Sequence, residues 1–263
     1  MQDAAESYDT ILYDLTDNVV TITLNRPEVM NGLNAQMRAE LLHAVRHGVS
    51  AGRVLVLTGA GRGFCSGQDL GDRRNAGDVD LERTLREEYE PLLRAIYEAP
   101  IPVIAAVNGP AAGAGANLAL AADVVFAAES AYFLEAFARI GLLPDAGGTY
   151  WMPRSMGFAK AMGAALFADR ITAVEADDWG LIWAAVPDAE FEETVRGRAR
   201  QLANGPTAGY RLIKQAIRQS LANDLDTQLA LEAQLQGEAG RTRDFTEGVL
   251  AFLEKRPAKF EGR

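Results

Sequence analysis

Apolar and polar residues alternate through DTILYDLTDNVVTITLN (9–25), with a break at Thr16-Asp17-Asn18. A period of two predicts two strands, and the polar break predicts a hairpin turn between them. After Asn25-Arg26-Pro27 the period lengthens. Met37, Leu41 and Val45 fall on one stripe, which predicts a helix near 35–48. RVLVLTG (53–59) is a short continuous apolar run, the pattern of a buried strand. The polar stretch GDRRNAGDVDLE (71–82) predicts a mobile surface loop, and a helix over about 81–98 ends before Pro100. PVIAAVNG (102–109) repeats the strand-then-glycine design, GPAAGAGANLALAAD opens a helix of small residues, and VVFAAESAYF returns to strand. ARIGLLPDAGGTYWMP reads as a loop with a Gly-Gly turn. From about residue 157 the helical period dominates to the end, interrupted by WAAVP.

Strands alternating with helices, followed by helices alone, predict an α/β core with a helical C-terminal part. The expected division is a core over 1–200 and a helical region over 201–263, with no low-complexity linker between them and therefore one folding unit. A chain of 263 residues buries enough surface to need no disulfide or metal staple. With 26 basic against 36 acidic residues the net charge is −10, which argues against nucleic-acid binding. The longest apolar stretch, 101–128, is broken by Asn108, Gly109, Pro110, Asn117 and Asp123, so no membrane span is expected. The acidic, polar N-terminal decapeptide is unlike a targeting signal, and Cys65 is the single cysteine, so a reducing, cytoplasmic setting is expected.

The two histidines limit the available chemistry. His43 and His47 are four apart on one helix, but without an HExxH glutamate they read as solvated surface and not as metal ligands. Acid–base work then falls to carboxylates. A serine hydrolase built on Ser66 would lack its histidine base. Two segments, GAGRGFCSGQDL (59–70) and GPAAGAGANL (109–118), each join a strand to a glycine-rich bend. Neither carries the Gly-Lys-Ser/Thr of a phosphate loop or the third glycine of a dinucleotide fingerprint. Their glycines either permit tight turns or present backbone N–H groups to one developing oxyanion. Asp145, between an apolar run and Gly147-Gly148, is either a helix cap or a base whose burial raises its basicity. Glu129 and Glu135 nearby read as strand or loop surface, and Cys65 as buried packing. Tyr150 and Trp151 either wall a pocket or belong to the core.

LNRPEVMNGLN (24–34), GRGFCSGQDL (61–70), VNGPAAGAGANLALAAD (107–123) and IGLLPDAGGT (140–149) together resemble the enoyl-CoA hydratase/isomerase, or crotonase, superfamily, along essentially the whole chain. The resemblance implies a spiral of ββα units with a helical C-terminal trimerisation region, and a homotrimer or dimer of trimers. The ligand would be an acyl-CoA thioester, with coenzyme A part of the substrate and no separate cofactor or metal. Carried over by position, Ser66 and Ala114 would be the oxyanion-hole donors. Gly67, Gln68, Asp69, Leu70, Gly113 and Asn117 would line the substrate path, and Arg26 and Lys259 (with Lys255 as an alternative) would meet the CoA phosphates. The two glutamates of the family's hydratases fall on Asn117 and Phe137, which cannot transfer protons. Asp145 stands where hydratases often have glycine. The implied activity is isomerisation with Asp145 as proton shuttle, and the late motifs resemble the branch that isomerises ring epoxides in phenylacetate degradation. Enoyl-CoA hydration is the alternative.

Overall fold

The computed structural model describes residues 8–69, 71 and 80–263, so Leu70 and most of the expected 71–82 loop lie outside the described residues. Strands β1 (Ile11–Thr16) and β2 (Val19–Leu24) pair antiparallel from Ile11 opposite Leu24 to Thr16 opposite Val19. Asp17 and Asn18 take φ values of 52° and 62°, the left-handed pair that a two-residue hairpin turn requires. Val20, Ile22 and Leu24 alternate inward beneath α1 (Ala35–Ala51). Asn34 caps α1 by accepting the Met37 N–H at 2.8 Å.

The main sheet continues in parallel through β3 (Val54–Gly59), β4 (Val103–Val107), β6 (Val124–Ala128) and β9 (Ala184–Val186). All five residues of β4 are buried, as a strand covered on both faces must be. A second sheet joins β5 (Ala111–Ala112), β7 (Tyr132–Leu134) and β8 (Arg170–Thr172). The stretch expected as one helix over 81–98 is α2 (Leu81–Thr84), a π-turn (Leu85–Tyr89) and α3 (Glu90–Tyr97) run together. The small-residue helix is α4 (Ala114–Leu120), buried along its whole length.

Part of the stretch expected as loop over 138–153 is helical. A 3-10 turn (Ala136–Ile140) leads to α5 (Gly148–Ser155), which packs on α6 (Gly157–Phe167). Beyond α7 (Ala173–Asp178), the WAAVP interruption supplies β9, an edge strand of the main sheet. Helix α8 (Asp188–Ala203) packs on that sheet. Helices α9 (Thr207–Ser220), α10 (Leu225–Ala239) and α11 (Arg243–Glu254) complete the C-terminal part. Lys214 of α9 anchors it to the core, donating to the Ala99 and Ile101 carbonyls and pairing with Asp123.

Candidate active site

The two glycine-rich bends, distant in sequence, are stitched to each other. The Cys65 N–H donates to the Pro110 carbonyl at 3.2 Å, and the Ala112 N–H returns a bond to the Cys65 carbonyl at 2.9 Å. Asn31, a buried residue absent from the expected site, holds the first bend from behind. Its amide nitrogen donates to the carbonyls of Ala60, Gly63 and Phe64 at 3.0, 2.9 and 3.1 Å. Its oxygen accepts the Arg26 N–H at 2.9 Å. Cys65 is fully buried, donates to the Asn31 carbonyl, and has its thiol pushed up to about 12 by burial. It is an inert packing group.

The structure corrects one of the expected oxyanion donors. The Ser66 N–H is already spent on the Met30 carbonyl at 2.9 Å, and its hydroxyl on the Val29 carbonyl at 3.1 Å. Two residues on, the Gln68 N–H has no partner among the described residues. Opposite it lies Ala114, whose N–H is the first of α4 and has no helical carbonyl to bond. The residue between the donors, Gly67, adopts φ +88°. A side chain there would come within 2.6 Å of the Ala112 carbonyl and 3.3 Å of the Ala114 nitrogen. Only glycine lets these backbones approach so closely. The Gln68 side chain is pinned as well: its Oε1 accepts the Tyr89 hydroxyl at 2.6 Å and an Arg38 N–H at 3.2 Å. The π-turn is what delivers Tyr89 to that bond.

Arg26 and Asp69 form an ion pair at 2.7 Å, and the same guanidinium nitrogen donates to the Gly32 carbonyl at 2.7 Å. This pairing holds the Asp69 carboxyl below its ordinary range. Arg26 is therefore a brace between two loops, with its charge matched by Asp69. Lys259 is not brought to the site within this chain. Its neighbour Phe260 accepts a bond from Arg53, which precedes β3 at the end of the sheet opposite the glycine-rich bends.

Asp145 does not cap a helix. The N-cap of α5 is Gly147, and no side chain supplies a capping bond. The Asp145 carbonyl accepts the Gly148 N–H at 2.8 Å and the Asn117 amide at 2.9 Å, while its Oδ1 is buried without a hydrogen-bond partner among the described residues. Burial raises its carboxyl to about 6. Glu135, expected on the surface, is only 2% exposed, and burial raises its carboxyl to about 8. It lies beside Asn117, which donates to it at 3.3 Å. The missed signal was the period of two: Ala131, Phe133, Glu135 and Phe137 all turn inward. The Phe137 ring lies 3.7 Å from where a Cβ on Gly113 would stand, so an apolar wall covers the approach to α4. Glu129 is exposed, as expected.

Tyr150 and Trp151 pack edge to face beside Tyr97, and Trp151 also lies against the core. His43 is exposed and bonded to the Tyr8 hydroxyl, but His47 is half-buried against the Tyr13 ring and so is not the solvated residue expected.

Paired strand–bend–helix units that set two backbone amides side by side are a fold-level signature, and residues 14–263 match the family described as Enoyl-CoA hydratase/isomerase. The chain belongs to that family. It shares 62% identity with a probable enoyl-CoA hydratase of Rhodobacter capsulatus, over 98% of this chain and all of that one. It shares 48% with the 1,2-epoxyphenylacetyl-CoA isomerase of Escherichia coli, over 96% and 98%. A crystal structure of an enoyl-CoA hydratase/isomerase from Mycobacterium abscessus superposes with a TM-score of 0.91 at 36% identity, over 96% of this chain and all of that one. The fold is therefore the crotonase fold, and the protein is an enzyme of this hydratase/isomerase family. No described helix is long and apolar enough to cross a membrane.

Proposed function

We propose that the enzyme isomerises acyl-CoA thioesters through an enolate, with Asp145 as its proton shuttle. The thioester oxygen sits between the Gln68 and Ala114 N–H groups. Each such donor contributes on the order of 3 kcal/mol where water is excluded. The Asp145 carboxylate removes a proton from C2 of a 3-enoyl thioester, and the electron pair passes onto the oxygen as a dienolate. The same carboxyl returns the proton to C4, so the conjugated 2-enoyl product forms with no net change in atoms. A ring epoxide beside the thioester follows the same first step; the C–C bond shared by the epoxide and the six-membered ring then breaks to leave a seven-membered ring ether, and the proton held by Asp145 returns to a ring carbon, so again no atoms are gained or lost. The likeness to the Escherichia coli epoxide isomerase supports that substrate class.

The observation that carries this reading is the unpaired, buried Asp145 Oδ1, together with Asn117 and Phe137 at the positions where the family's hydratases hold their glutamates. One carboxylate suits a proton that leaves and returns. Addition of water needs a second group to activate it. The likeness to a probable hydratase keeps hydration as the second reading, with Glu135 the one further buried carboxyl beside Asp145 among the described residues.

Turnover of a 3-enoyl-CoA, followed by appearance of the conjugated thioester and by mass, tests the reading. Wild type is expected to isomerise without gaining the mass of water, and Asp145→Asn to lose about a thousandfold or more in kcat while remaining folded. Hydration as the sole reaction, or a variant as fast as wild type, would sink it.

A further inference from the structure

Asn117 is completely buried, and its surroundings fix which way its amide points. Its nitrogen faces two acceptors, the Asp145 carbonyl at 2.9 Å and Glu135 Oε2 at 3.3 Å; a flipped amide would set oxygen against both. The orientation leaves the amide oxygen buried with no donor among the described residues. An orphaned buried acceptor is destabilising, and the neighbouring side chains of α4 are apolar. Of the two carboxyls beside Asn117, Asp145 serves as the base in the reading above, which leaves Glu135 to supply a proton.

We propose that Glu135 is a positioning residue that works in its neutral form, donating its carboxyl O–H to Asn117 Oδ1 while accepting the Asn117 N–H. This reciprocal pair locks the amide across to the Asp145 carbonyl and so sets the start of α5 and the aim of the Asp145 carboxylate. The inference rests on the isomerase reading of Asp145. Burial, the largest influence on Glu135, favours its neutral form, and the negative charge of Asp145 does the same. Arg170, paired across the sheet with the neighbouring Leu134, lies over the Tyr132 ring, and Arg139, four residues on from Glu135, donates to the Ala168 carbonyl. From α4 the group facing it is Asn117, and from the turn before α5 it is Asp145. Loss of the Glu135 proton removes the donor to Asn117 and places a second negative charge beside the base.

Glutamine at this position offers an N–H donor and a carbonyl acceptor, the same pattern as the neutral acid, with no proton to lose. Difference infrared spectroscopy of wild type against Glu135→Gln reads the proton directly. A carboxylic-acid carbonyl band is expected at about pH 7 in wild type, absent from the variant, and bleaching through about pH 8. In turnover of a 3-enoyl-CoA, wild-type kcat is expected to fall through the same range. Glu135→Gln should stay within about threefold of wild type at pH 7 and lose that alkaline limb, while Glu135→Leu drops kcat by about tenfold or more with little change in KM. An ionised Glu135 at pH 7 overturns the proposal, whatever the turnover. So does a Glu135→Gln variant as slow as Glu135→Leu, because the proton itself would then be moving. Failure of wild type to isomerise at all counts instead against the Asp145 reading and leaves the infrared result to judge Glu135.

Discussion

Asp145 and Glu135 are two carboxyls that burial has raised to different extents, to about 6 and about 8. Near neutral pH the first is mostly ionised, able to take a proton, while the second keeps its own. Environment, with the same side-chain chemistry, separates base from neutral brace. The sign for Asp145 follows directly. Its active form is the carboxylate, so kcat/KM should rise with pH through about 6, below the alkaline limb set by Glu135. A kcat/KM profile for a 3-enoyl-CoA from about pH 4.5 to 7.5 checks this. A flat acid side, or a limb near 4 as in an exposed aspartate, would mean that the buried carboxyl is not the group that takes the proton.

At the scale of elements, the site exists because two strand-to-helix bends are tied at their backs. Asn31 alone satisfies three carbonyls of the first bend. Replacing it with alanine leaves those acceptors buried and cuts the tie to Arg26, a loss on the order of 3 kcal/mol. Asn31→Ala should therefore lower Tm by about 6–10 °C and depress kcat, read by calorimetry beside turnover. An unchanged Tm would show that other contacts hold the bend. The sequence made the elements legible where one period ran unbroken: the hairpin at Asp17-Asn18, the Met37–Leu41–Val45 stripe and the apolar β3 and β4. It hid α5, because Gly147, Gly148 and Pro153 carry loop signals while the chain turns helical around them. It showed the two amide-bearing bends but not which amide in each is free. Hydrogen-bond partners such as Met30 for Ser66 come from chain segments far off in sequence. Glu135 was hidden for a related reason. A charged residue reads as surface until the partner that buries it, here Asn117, is placed beside it.

The whole molecule leaves apolar stripes uncovered. Phe158, Met162 and Leu166 fall at i, i+4 and i+8 on α6, with Phe158 73% exposed. Ile213, Ile217 and Leu221 repeat the spacing at α9, with Ile217 64% exposed, and Leu225 and Leu229 follow on α10. Burying such a stripe is worth roughly 25 cal/mol per Å². The resemblance to the superfamily implies further copies of this chain as the partner, and we propose a trimer or a multiple of it. Covering α6 would also brace α5, on which it packs, and with it the turn that carries Asp145. Light scattering after size exclusion should give about three or six times the 28.3 kDa chain mass. Ile217→Asp should shift that mass downward, and because a subunit without its neighbours leaves α5 less supported, kcat should fall with it. A wild-type chain running as a monomer would remove the assembly from the account of the site. A variant that dissociates yet turns over at full rate would separate the two, showing that each subunit holds Asp145 in place by itself.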